Sequence, residues 1–137
     1  MNFYKRNVIA AAILFLVSAF IGMSIGMNFD LRFPAEYDGY YMITKGNAMI
    51  RAAHTHGMPF ALYNLILAFI IPMLGLSDKM KNLTSWFGIL MIIMPFALFV
   101  RGSIYPATTF DLVGFVGATF FLLTSAFVLI GAIKAKK

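Results

Sequence analysis

The chain is built of long apolar runs separated by short polar breaks. Asn7–Phe29, Ala52–Ser77, Asn82–Val100 and Leu112–Ile133 contain no Lys, Arg, Asp or Glu. A hydrocarbon core of roughly 30 Å needs about 20 apolar residues in helical form, and each run approaches or exceeds that length. The runs are too long for barrel strands and do not alternate polar with apolar positions. The pattern predicts an all-α fold, an integral membrane four-helix bundle forming one domain over residues 1–137, with spans near 8–27, 54–76, 83–100 and 112–133. Lys5 and Arg6 precede the first run as they would a signal peptide. The run is too long and lacks a small-x-small cleavage site, so it reads as an uncleaved helix.

Composition agrees with this pattern. Apolar residues make up 61% and charged residues 12% of the chain, with a mean hydropathy of +0.86. A soluble fold of this size could not hide so much apolar surface. The absence of cysteine excludes disulfides, thiolate metal sites and thiol chemistry. The net charge of +6 would suggest nucleic acid in a soluble protein. Here the cations flank apolar runs, as at the cytoplasmic ends of membrane helices, and no nucleic-acid partner is expected.

Lys5, Arg6, Lys79, Lys81, Lys134, Lys136 and Lys137 fall on the side of both termini, against Arg32, Lys45, Arg51 and Arg101 on the other, seven to four. The excess places both termini in the cytoplasm. The short connection between the second and third spans, Gly75 to Asn82, makes them antiparallel neighbours. The long loop from Asn28 to Arg51 carries Pro34, Tyr37, Tyr40 and Tyr41. It reads either as a cover over a site or as an interfacial segment anchored by its tyrosines.

The sharpest local feature is Arg51-Ala52-Ala53-His54-Thr55-His56-Gly57-Met58-Pro59, at the outer start of the second span. An imidazole in a membrane is a functional candidate by default. On a regular helix His54 and His56 point about 200° apart. One of them could be an axial haem ligand. Both could share a metal if Pro59 disturbs the first turn. Either could simply hydrogen-bond a neighbouring helix. Arg51 and Arg101 sit at outer helix ends, where each could pair with a haem propionate or reach lipid headgroups. Met23, Met27, Met49 and Met58 lie near the histidines and raise copper binding as an alternative, although methionine is also an ordinary apolar filler. Gly22 and Gly26 form a GxxxG, and Gly114 and Gly117 lie early in the fourth span; both pairs suit close helix contacts. Pro72 and Pro95 are expected to kink their spans. No phosphate loop, Ser/His/Asp set or paired intramembrane carboxylates occur.

From His54 onward the chain resembles styrene oxide isomerase. The resemblance rests on Ala53-His54, Pro72, Leu74-Gly75, Asp78-Lys79 and Leu83, in ungapped register, with Asp111 at the mouth of the fourth span. It implies a four-helix membrane protein that binds haem b through one histidine, here His54, and assembles as a homotrimer. In that family ferric haem acts as a Lewis acid that isomerises an epoxide to an aldehyde. The family's asparagine, aspartate and tyrosine of the active site fall on Phe60, Met91 and Phe99 here. The resemblance therefore implies the scaffold and the haem ligand, with epoxide isomerisation poor. Tyr63, Asn64 and Tyr105 are the nearby polar alternatives.

The expected protein is thus a haem b-binding integral membrane homo-oligomer in the lipid bilayer of a bacterial inner membrane. Its ligand is His54, and Arg51 and Arg101 are the propionate partners; its catalytic residues are unknown. A cofactor-free accessory subunit and a copper-binding protein using His54, His56 and methionines are the alternatives. A reporter active only in the periplasm, fused after Lys137, should give no signal; a strong signal would invert the orientation.

Overall fold

A computed structural model describes residues 2–27, 35–36, 40–41, 45–104 and 109–135. Tyr37, Pro34 and Tyr105 lie outside the described residues. Helix α1 is Phe3–Met27, α2 Lys45–Ile70, α3 Asp78–Leu90, α4 Ile93–Ser103 and α5 Thr109–Lys134, with a single 3-10 turn at Ile71–Met73 after α2. Two two-residue strands, Ala35–Glu36 and Tyr40–Tyr41, pair antiparallel between α1 and α2. Among the described residues four spans are long and apolar enough to cross a membrane: Phe3–Met27, Ala48–Met73, Asp78–Ser103 and Phe110–Lys134. Helices are what the hydrocarbon allows, because they satisfy their backbone groups internally.

The third span departs from the single helix that the sequence predicts. It breaks into α3 and α4 at Met91–Ile92, and Pro95 supplies the reason. Proline has no N–H to give the Met91 carbonyl one turn back, and its ring crowds that carbonyl. The Met94 amide takes over the Met91 carbonyl at 3.1 Å, a tighter three-residue turn. Pro72 acts similarly at the end of α2, which closes in the 3-10 turn. Pro59 lies inside α2 without ending it. The Ser77 hydroxyl accepts from the Met80 amide to cap α3, and Asp78 sits in its first turn.

Helix α2 packs against α1 on one side and α4 on the other, while α5 lies along α3 and α4. Two apolar clusters fill the interior. Leu14, Phe60, Ala61 and Met91 form the first, and Leu67, Ile71 and Leu74 the second. The Phe60 ring stacks on Phe121 of α5 with centroids 5.2 Å apart. Outward-facing positions such as Leu16, Phe20, Leu112, Phe115, Leu122 and Ile133 are exposed and apolar, as a lipid-facing surface requires. Thr84 and Thr124 are buried, but each hydroxyl donates to the carbonyl four residues back.

Small residues set the closest approaches. A Cβ at Gly117 would meet the Met94 backbone nitrogen and lie 2.8 Å from the Met94 Cα. A Cβ at Gly75 would collide with the Lys134 backbone, and the Gly75 amide donates to the Gly131 carbonyl at 2.9 Å. The expected α2–α3 turn is therefore also docked onto the end of α5. Gly117→Ala should push α5 off α4 and lower stability by about 1–3 kcal/mol, read as a lower melting temperature in detergent. Gly26→Ala, with none of the described residues within 4 Å of the added Cβ, should not.

Candidate functional site

His54 and His56 occupy opposite sides of α2, as the spacing predicts. His54 is half-buried against α1. His56 is exposed and lies beside Phe60, with ring centroids 6.2 Å apart, on the side where Phe60 meets α5. Among the described residues no cluster of three or more His, Cys, Asp or Glu forms.

The seat of His54 follows from Gly22. In a helix the Ser18 carbonyl already accepts from the amide four residues on, which is that of Gly22. Its second lone pair is normally shielded by the side chain at that position. With glycine there, the imidazole lies against the bare backbone, and Nδ1 sits 2.7 Å from the Ser18 carbonyl oxygen. A Cβ at Gly22 would lie 2.8 Å from Nδ1 and 3.0 Å from Nε2. The contact is reciprocal one turn along. The Ser18 side chain fills the space beside Gly57 of α2, where a Cβ would collide with the Ser18 hydroxyl. The carbonyl can only accept, so Nδ1 carries the hydrogen. In the neutral ring Nε2 then keeps its lone pair. Metal-bound histidines commonly have this arrangement, with one ring N–H fixed on a backbone carbonyl or carboxylate.

The two arginines differ. Arg51, three positions before His54 and about 60° round the helix, is exposed and has no ion-pair partner among the described residues. Arg101 is buried at the end of α4, and its Nε donates to Asp111 Oδ1 in the first turn of α5 at 3.0 Å. Each member of that pair also complements its own helix dipole. The pair straps α4 to α5, so Arg101 is engaged by a carboxylate within the chain.

The structure brings together two of the three positions where the resemblance implies polar groups. Phe60 and Met91 touch the same buried cluster, whereas Phe99 is part-exposed and lines a crevice of about 330 Å³ between α1 and α4, with Ser18 and Ala53 on its wall. A second cavity of about 450 Å³ lies between α2, α4 and α5 and is bordered by Met49, Met94 and Asp111. His54 lines neither. Of the polar alternatives, the Tyr63 hydroxyl lies 3.2 Å from the Ser125 hydroxyl, and the Asn64 amide donates to the Gly88 carbonyl at 2.8 Å and to that of Phe60. Both serve helix contacts. Met23 and Met27 are exposed on α1 and so face outward.

Sequence reasoning missed Ser18 and Gly57 as partners of the motif. The signal was present as small residues one turn apart on the first span and within the His-x-His run, but their pairing needs the helix register. No protein-family model, curated protein or solved structure matches the chain. Gly22→Ala should displace the imidazole from the Ser18 carbonyl. In protein carrying 15N-labelled histidine at alkaline pH, the wild-type His54 signals should show a single tautomer with hydrogen on Nδ1. The variant should lose that preference, and an unchanged spectrum would contradict the seat described.

Proposed function

We propose that the chain is a haem b-binding integral membrane protein on a styrene oxide isomerase-like scaffold, self-associating as a homotrimer in a bacterial inner membrane with both termini cytoplasmic. The observation that supports the reading is the His54 seat. Its Nδ1 hydrogen is anchored on the Ser18 carbonyl, which leaves the Nε2 lone pair as the one an iron would take. A ligand fixed by backbone loses less orientational freedom on binding than a swinging side chain.

The donor set fits a single axial ligand. One imidazole suffices for haem iron, whereas a copper site built on His54 and His56 is opposed by their positions on two sides of α2. Arg51, exposed one turn before His54, would meet one propionate. Arg101 would have to exchange its Asp111 contact or share its remaining donors to meet a second. When bound, the haem would supply a Lewis-acidic or redox-active iron. The chain's part is to hold Nε2 toward it and to keep the adjoining interior dry. Phe60 and Met91 bury apolar surface where an epoxide would need a donor or acceptor for orientation, and loss of orientation is costly in rate. The supported reading is therefore haem binding with weak epoxide isomerisation.

An absorption spectrum of protein extracted in mild detergent tests this directly. A Soret band is expected, abolished in His54→Ala and largely kept in His56→Ala. Colourless, metal-free protein would favour an accessory subunit, and copper without iron would favour the copper reading. Reversal of the two variants would move the ligand to His56.

A further inference from the structure

The end of the bundle where α1 begins and α5 finishes holds a guanidinium that, among the described residues, no carboxylate neutralises. Arg6 closes the first turn of α1 and is half-buried. Its Nε donates to the Ser85 hydroxyl and its Nη2 to Asn82 Oδ1, both at 3.0 Å. Its carbon end lies over the Trp86 ring, 4.6 Å from the centroid, and 5.8 Å from that of Phe3. Asn82, Ser85 and Trp86 share one face of α3 at helical spacing. Two hydrogen bonds and two aromatic rings therefore hold the cation in one place. They use two of its five N–H groups and leave the two on Nη1 and one on Nη2.

Among the described residues the only ion pair is Arg101–Asp111, far along the chain at the opposite helix ends. Around Arg6 the charge is of its own sign. Lys5, Lys79 and Lys134 are exposed, and Lys81 donates from Nζ to the Pro72 carbonyl at 2.8 Å. Among the described residues Asp78 is the acid at this end, and it borders the neighbouring cavity with Lys81 rather than pairing with Arg6. A half-buried charge without a counterion is unfavourable, and additional lysines raise rather than relieve the field. Trp86 is itself about half exposed, at 45%, on the outer surface of α3. It lies about two turns into the span that begins at Asp78, and tryptophan rings favour the region just below the headgroups.

We propose that Arg6, framed by Trp86 and Phe3, is a binding site for the phosphate of an anionic phospholipid at the basic end of the bundle. The guanidinium offers its remaining N–H edge to the phosphate oxygens in the forked geometry that suits arginine. Trp86 provides the apolar wall for the glycerol and upper acyl region. Lys5 and Lys79 add a diffuse field that selects net negative lipids over zwitterionic ones. The Ser85 and Asn82 hydrogen bonds fix the fork in advance.

Trp86 is the sole tryptophan of the chain, so its fluorescence reads this site alone. The full-length protein in a neutral detergent is titrated with dioleoyl phosphatidylglycerol, with dioleoyl phosphatidylcholine, and with inorganic phosphate at matched ionic strength. A saturable change with phosphatidylglycerol is expected, at least tenfold weaker with phosphatidylcholine and absent with inorganic phosphate. Arg6→Gln should weaken the phosphatidylglycerol response at least tenfold, while Arg6→Lys, which keeps the charge without the fork, should fall between. Equal responses to the two lipids, or an unaltered titration in Arg6→Gln, would overturn the proposal. The same change with free phosphate would overturn the lipid assignment. If Arg6→Gln does not fold, the wild-type contrast between lipids and the Arg6→Lys titration decide the matter.

Discussion

Lipid tails are as apolar as leucine, so helices in a membrane gain little from hiding apolar side chains against one another. They associate through close packing and interhelical hydrogen bonds. In this protein the approach of α1 to α2 carries both. Gly22 admits the His54 ring to the α1 backbone, and Gly57 admits the Ser18 side chain to α2. The Nδ1–carbonyl contact of 2.7 Å joins the two helices at the same level. Such bonds average about 0.6 kcal/mol in membranes, so the geometry matters more than the energy. The register of α1 on α2 fixes which ring nitrogen is engaged, and hence the chemistry left to the other.

The two ends of the bundle solve the problem of polar groups differently. Near the termini, Asn7 is fully buried and donates to the Phe3 carbonyl and to Ser85, which also receives Arg6. Asn64, equally buried, spans from α2 to the α3 backbone at Gly88, where the missing side chain gives its amide room. These side chains tie α1, α2 and α3 together from within. At the other end one ion pair, Arg101–Asp111, joins α4 to α5, and His54 joins α2 to α1. Polar contacts thus link α1, α2 and α3 to one another, α4 to α5, and, through Tyr63 and Ser125, α2 to α5. The core between them is closed by the apolar cluster of Leu14, Phe60 and Met91.

That core bears on any chemistry the proposed haem would perform. Phe60 stacks on Phe121, and Met91 is entirely buried at the helix break. Both are structural parts of the packing. A polar substitute at either position would need a partner in a cluster whose one hydroxyl, that of Tyr63, already lies against Ser125.

The spans were legible in the sequence because hydrocarbon thickness imposes a length and forbids exposed charge, and both constraints are local. The placement of His54 and His56 on different sides of α2 was legible for the same reason, since it depends only on helical pitch. The break at Met91–Ile92 was half legible: Pro95 signals a kink, but whether the helix bends or separates depends on what receives the freed carbonyl. The partners of the candidate site were not legible. Nothing local distinguishes Gly22, which seats the histidine, from Gly26, which has none of the described residues beside it. Nor does it show that Arg101 turns to Asp111 or that Arg6 is stacked between Phe3 and Trp86. The sequence by itself determined the number, length and character of the helices, because the bilayer acts on each residue separately. Only the tertiary structure decided which small residue faces which side chain, because that depends on the relative rotation and register of helices whose outward faces are almost uniformly apolar.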